Sequence, residues 1–133
     1  MLSAILYGMT YSGGSALGGT VFKLTPTNGG YVFSTVYALG HEGEGCNPED
    51  ALVMDVAGNL YATAAQCGEY NWGAVFKLTL SHGSWTYTSL HEFEADDGEF
   101  PTSKPIFDAS GKLYVTAQFG GTHDKGVILE ITQ

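Results

Sequence analysis

Apolar and polar residues alternate along this chain in runs of five to nine positions, and glycine-rich turns separate the runs. A period of two is the mark of a half-buried β-strand. Four kinds of run can be told apart. The first, a, covers 51–56 and 104–109; the second, b, covers 6–10, 60–65 and 113–118; the third, c, covers 19–25, 73–80 and 126–132; the fourth, d, covers 31–39 and 85–93. In c, Val21 and Lys23 oppose Phe22 and Leu24. In d, the alternation places Tyr31, Phe33, Tyr37 and Leu39 on one face, and likewise Trp85, Tyr87, His91 and Phe93. No window carries a helical period.

The runs recur in constant order. Leu6-Tyr7-Gly8-Met9-Thr10 returns 54 residues on as Leu60-Tyr61-Ala62-Thr63-Ala64, and 53 residues after that as Leu113-Tyr114-Val115-Thr116-Ala117. Gly19-Thr20-Val21-Phe22-Lys23-Leu24-Thr25 returns at the same offsets as Gly73-Ala74-Val75-Phe76-Lys77-Leu78-Thr79 and, with drift, as Gly126-Val127-Ile128-Leu129-Glu130-Ile131-Thr132. Between a and b stands Asp-x-x-Gly, in which the Asp caps the turn and the Gly takes positive φ. The expected fold is all-β, made of β-propeller-type antiparallel four-stranded blades, about two and a half repeats in number. A β-solenoid or an open sandwich is the alternative. Within a single repeat domain, 1–133, the divisions fall at 1–46 (partial), 47–99 and 100–133 (partial).

The strand order is then b-c-d, a-b-c-d, a-b-c. An open arc of this kind would leave end faces carrying Val21, Leu24, Ile128 and Ile131 uncovered, and soluble monomers seldom leave such a patch exposed. Either identical chains join as a homo-oligomer or neighbouring repeats of a longer chain cover the ends.

Composition narrows the function classes. Hydrophobic residues make up 44% and charged residues 14%, which is globular rather than disordered. The 14 acidic residues outweigh the 5 Lys and Arg, for a net charge of -9. A phosphate backbone or an anionic bilayer surface would be repelled, so neither nucleic acid nor membrane is an expected partner. No run approaches the roughly 18 apolar residues of a spanning helix. The opening MLSAILYGMT lacks a basic n-region and reads as a strand, not a signal peptide.

In a blade, the b–c loops and the d-to-a connections emerge on one rim. That rim gathers Glu42, Glu44, Glu49, Asp50, Glu69, Asp96, Asp97, Glu99 and Asp124, nine of the 14 acids. Asp96, Asp97 and Glu99 offer hard oxygen ligands at short spacing, the chemistry of a Ca²⁺ ion, though no single loop supplies the six to eight oxygens such a site needs. The plainer reading is a solubilising rim, with no cofactor. Tyr70, Asn71 and Trp72 fall in a b–c loop on the same rim, where aromatics beside amides and acids stack a sugar ring or a partner side chain. The plainer reading is a packing plug. His41, His91 and His123 lie near this rim, and His82 in a c–d turn, but none pairs with a Ser or Cys as a nucleophile arrangement requires. No catalytic residue and no metal ligand set is expected. Paired carboxylates are the one enzymatic option, for a hydrolase or lyase.

Cys46 lies in the connection into the second repeat and Cys67 in the b–c loop of that repeat, so both belong to one rim and are expected to form a disulfide. Neither has a repeat mate: Glu99 and Gly120 stand at the matching places.

The pattern Gly-Thr-Val-Phe-Lys-Leu-Thr-Pro at 19–26, followed by an aromatic strand and by Leu-x-x-Asp-x-x-Gly-Asn-Leu-Tyr-x-Thr at 52–63, resembles the GloVer tandem repeat of bacterial proteins. The third copy departs from it at Val127, Ile128 and Glu130. The resemblance implies an extracytoplasmic, often surface-anchored, repeat protein, and it brings no catalytic residues. The expected function is a non-catalytic recognition or structural module, extracellular or at the cell surface, with a glycan or a protein as ligand. A carbohydrate-binding propeller and a calcium-assisted propeller hydrolase or lyase are the alternatives.

Overall fold

The computed structural model describes residues 4–132, and the termini of the expected domain, 1–3 and 133, lie outside the described residues. Every element in it is a strand. The first sheet runs β1 (Leu6–Thr10), β2 (Thr20–Thr27), β3 (Gly30–Ala38) in sequence order. Next come β4 (Gly45–Cys46), β5 (Val53–Met54), β6 (Leu60–Ala64), β7 (Gln66–Cys67), β8 (Ala74–Ser81) and β9 (Ser84–Glu92). Of these, β5-β6-β8-β9 form the second sheet, while β4 pairs β7 as a small ribbon. The third sheet is built on β12 (Leu113–Phe119), with β13 (Val127–Ile131) on one edge and both β10 (Glu99–Pro101) and β11 (Ile106–Phe107) on the other. All these pairings are antiparallel. The fold is therefore all-β, with open antiparallel sheets that contain up to four strands.

Hydrophobic burial holds consecutive sheets face to face. One core cluster joins Val21, Met9, Tyr7 and Tyr37 of the first sheet to Leu60, Ala62, Phe76, Leu78 and Tyr87 of the second. The other joins Tyr61, Val75 and Leu90 of the second sheet to Leu113, Val115, Ala117 and Leu129 of the third. The middle sheet is thus covered on both faces, and this explains why its β6 is buried from end to end.

Two expectations change. Strand d does not keep its alternation. Phe22 pairs Thr35 but Val21 pairs Tyr37, so Val36 is an extra residue, and Leu90 is extra in the same way between Ser89 and His91. A bulge of this kind places two neighbouring residues on one side and re-aims the strand. Tyr31 and Phe33 accordingly lie on one face and Tyr37 on the other; Trp85 and Tyr87 are separated from His91 in the same manner. The end faces also differ from the expected set. Val21 and Ile131 point into the two cores, and of the four named residues only Leu24 and Ile128 lie on outward faces.

Strands β4, β7 and β10 were not foreseen. β4 and β10 precede the two-residue strands β5 and β11 of run a; β10 pairs the far end of β12, and β4 pairs β7 just beyond the end of β6. Entry into strand c is fixed by Gly19, Gly73 and Gly126, with φ of 100°, 98° and 97°. A Cβ at Gly73 would lie 2.6 Å from the Ala64 carbonyl oxygen, so a side chain there meets backbone as well as an unfavourable φ.

Candidate functional site

The rim that carries the b–c loops is assembled by backbone contacts between each loop and the connection beside it. The Gly68 N–H donates to the Glu44 carbonyl at 2.8 Å, and the Gly121 N–H donates to the Ala95 carbonyl at 3.1 Å. Cys46 and Cys67 are joined in a disulfide across the first of these junctions, with Cα atoms 5.3 Å apart. At the matching junction of the third repeat, a Cβ on Gly120 would lie 3.0 Å from Cγ of Glu99, so the same two positions adjoin without a covalent link.

The loop bearing Tyr70, Asn71 and Trp72 sits against the connection bearing Asp96, Asp97 and Glu99. The Phe100 N–H donates to the Trp72 carbonyl at 3.1 Å, and the two rings meet edge to face at 5.8 Å. Trp72 is half-buried and packs on the second core cluster, so it anchors the loop. Tyr70 and Asn71 are exposed beyond it. Asn71 holds a left-handed turn with φ of 67°, a conformation that Asn tolerates better than most side chains. The Tyr70 phenol is pushed up by the negative charge of Glu69 and then of Glu94, with smaller contributions from slight burial, a hydrogen bond to Glu94 and the charge of Glu92.

Many of the rim carboxylates are already engaged. Asp97 accepts the Glu94 N–H at 2.9 Å on one oxygen, and its other oxygen lies 2.9 Å from Nε2 of His91. That second approach is out of line for a directed hydrogen bond, so it is a contact of charge with ring nitrogen. Glu92 accepts from the Ser89 hydroxyl at 2.6 Å and the Glu69 N–H at 3.1 Å. Asp50 accepts the Ala51 and Lys104 N–H groups, which ties the second repeat to the third. Asp124 accepts the Gly120 N–H. Glu99 is half-buried within β10, and Asp96 is exposed. Among the described residues, no three His, Cys, Asp or Glu side chains gather as a metal site.

The opposite rim holds a feature that sequence reasoning passed over. A groove of about 630 Å³ opens between the two a–b turns, lined by Met54, Val56 and Phe107 together with Asp55 and Asp108. Asp55 accepts hydrogen bonds from the Ala57 and Asn59 N–H groups, the Asn59 side chain and the Tyr61 hydroxyl. Burial pulls its carboxyl upward, but these donors together hold it below the usual range. Asp108 repeats the arrangement with Ser110, the Lys112 N–H and Tyr114. The Ser110 hydroxyl is the largest influence, and the carboxyl is brought down to about 2. Carboxylates held in this way are poor general acids, because they stay ionised, and poor bases, because their lone pairs are taken. The signal was present in the sequence as two copies of Asp-x-x-Gly-x-Leu-Tyr; what it lacked was the closeness of the two turns.

Among the described residues, no helix is long and apolar enough to cross a membrane. No curated protein and no solved structure matches the chain. The model of one family, the Gloeobacter/Verrucomicrobia repeat, matches residues 3–133.

Proposed function

Given that the chain belongs to the Gloeobacter/Verrucomicrobia repeat family, we propose that it acts as a non-catalytic recognition or structural repeat module outside the cytoplasm, in an arrangement of propeller type. The observation that carries this reading is the use made of the titratable groups. Asp55, Asp108, Asp97 and Glu92 each accept two or more hydrogen bonds or charge contacts from their own turns and neighbours. They support loop shape, and carboxylates so engaged make poor acid–base groups. The disulfide agrees with an oxidising compartment.

The ligand-contacting part of the module is the ridge of Tyr70 and Asn71, seated on Trp72 and flanked by Asp96, Asp97 and Glu99. An exposed phenol ring beside an amide and carboxylates can stack on a sugar face and accept from its hydroxyls. A glycan is therefore the ligand class tested first, with a protein ligand as the other outcome. Glycan-array binding by the wild-type protein is expected to fall at least tenfold in Tyr70→Ala, while the melting temperature stays unchanged. Turnover of polysaccharide or chromogenic glycosides by the purified chain, especially turnover lost in EDTA, would overturn the non-catalytic reading.

A further inference from the structure

The chain uses one kind of sheet interface twice and exposes one half of it at each end. Leu60 and Leu113 are 1% and 0% exposed, buried where their sheets meet the preceding one; Leu6, at the same place in the first sheet, is 47% exposed. Val21 and Val75 are 1% and 0% exposed, buried where their sheets meet the following one; Ile128, at the same place in the third sheet, is 78% exposed. The first sheet thus turns Leu6, Phe22, Leu24 and Phe33 outward, Leu6 and Phe33 exposed and Phe22 and Leu24 half-buried, with the Phe22 and Phe33 rings 5.4 Å apart. The third sheet presents Ile106, Tyr114, Thr116 and Ile128 around an apolar groove of about 300 Å³.

We infer that the outward face of the third sheet docks on the outward face of the first sheet of a second copy of this chain, head to tail. Three observations support this occupant. The contact continues a packing mode that the chain already makes at both of its internal junctions. The first-sheet face is apolar and carries no charged side chain at its paired positions Leu6, Gly8, Phe22, Leu24, Phe33 and Thr35. On the third-sheet face, Glu130 is already satisfied by Lys112 at 2.9 Å and by the Tyr114 hydroxyl at 2.9 Å, and Lys104 at the groove edge is a long side chain that can keep its ammonium in water. The two faces differ from each other, which makes the contact heterologous and able to propagate or close into a ring. The inference stands on sheet packing alone and goes beyond the rim reading, so loss of either leaves the other in place.

The test uses sedimentation of the full chain and two variants at exposed positions, Phe33→Glu in the first sheet and Ile128→Glu in the third. Wild-type mass is expected to rise above the 14.1 kDa monomer over a concentration range of about a hundredfold. Because each copy carries -9, the rise should be steeper when salt screens the repulsion, for example at about 300 mM against about 50 mM. Each variant alone should stay monomeric. Mixed one to one, they should form a dimer and nothing larger, because Ile128→Glu keeps an intact first face and Phe33→Glu an intact third face. Circular dichroism confirms that each variant is folded, and Leu6→Glu and Ile106→Glu replace any that is not. A wild-type monomer throughout, a single variant that still associates, or a mixture that stays monomeric would each overturn the inference.

Discussion

The Tyr37 hydroxyl donates a hydrogen bond to a carboxylate oxygen of Glu44, bridging the end of one strand and the turn that follows it. The second repeat places His91 and Asp97 at the same two positions, 2.9 Å apart. The chemistry differs, a hydrogen bond in one and a charge contact in the other, but the role is shared: an aromatic residue at the end of strand d meets a carboxylate of the turn that leads to the next sheet. Tyr87 adds to the first of these junctions. Its ring stacks between Phe76 and Tyr37, and its hydroxyl accepts the Gly45 N–H at 3.0 Å.

Tyr87→Phe keeps the ring stack and strands the buried Gly45 N–H. An unsatisfied buried donor costs about 1–3 kcal/mol, so the unfolding free energy should fall by that amount, seen as a lower urea midpoint with the slope unchanged. A variant as stable as wild type would mean that water replaces the phenol.

Alkaline pH acts on the same junction. Burial is the main cause that raises the phenols of Tyr37 and Tyr87 well above the ordinary range, and the hydrogen bond to Glu44 adds to it for Tyr37. A phenol raised in the folded state contributes stability that is fully present below its unfolded value of about 10 and is lost as pH climbs beyond it. Near-ultraviolet titration should show tyrosines that ionise only as the fold opens, and Tyr37→Phe should remove part of that late step. Ionisation of all phenols in one step near the ordinary value would contradict this.

In acid the a–b turns give way first. Asp55 and Asp108 are both depressed, Asp108 to about 2. Their contribution is present above the unfolded value of about 3.9 and is lost as pH falls from there toward the folded value. The loss of stability between about pH 6 and about pH 3 should therefore be smaller in the Asp55→Asn, Asp108→Asn double variant than in wild type. Equal losses would show that the turns are not the acid-sensitive part.

Reduction of the disulfide opens a loop closed at a separation of 21 residues. The chain-entropy model gives roughly 3 kcal/mol for a loop of that size. Cys46→Ala with Cys67→Ala should lose about that much in denaturant unfolding. The rest of the fold should persist, because the third repeat makes the same junction with Glu99 and Gly120. Complete unfolding of the double variant would show that the staple does more than close this loop.

Calcium should bind without a saturable site. Asp97, Glu92 and Asp50 already accept protein donors, so the rim cannot turn enough oxygens toward one ion. Calorimetry should show only weak heats that vanish in salt. A one-to-one micromolar isotherm would return the calcium-assisted enzyme to consideration.

The repeat spacing and the alternation in b and c made the strands of the three sheets other than β10 legible from the residues, since both depend on local periodicity. Three things were not legible. The two-residue strands β4 and β7 carry no periodic signal, and their pairing depends on the loop geometry around Gly68 and Glu44. The bulge in strand d left a mark that alternation alone passes over: Val36 and Leu90 are aliphatic residues in the polar phase of their strands. The candidate site was legible as a neighbourhood, because Tyr70 and Trp72 do lie beside the 94–100 connection. Its division into the anchor Trp72, the turn-holding Asp97 and the exposed Tyr70 and Asn71 depends on burial and hydrogen bonding that one-dimensional spacing does not encode.

The bulge at Leu90 has a consequence for how the molecule comes apart. One continuous strand, β9, serves the junction before it through Trp85 and Tyr87 and the junction after it through Leu90 and the adjoining Phe93. Peeling that strand away dissolves both contacts at once, whereas loss of β13 or β1 disturbs only one. Opening therefore begins at the outer sheets and meets its highest cost at the centre, as expected of a linear array in which each unit is stabilised by its neighbours. Hydrogen exchange is therefore expected to be slowest at the amides of the buried strands β6 and β8, in the middle of the chain.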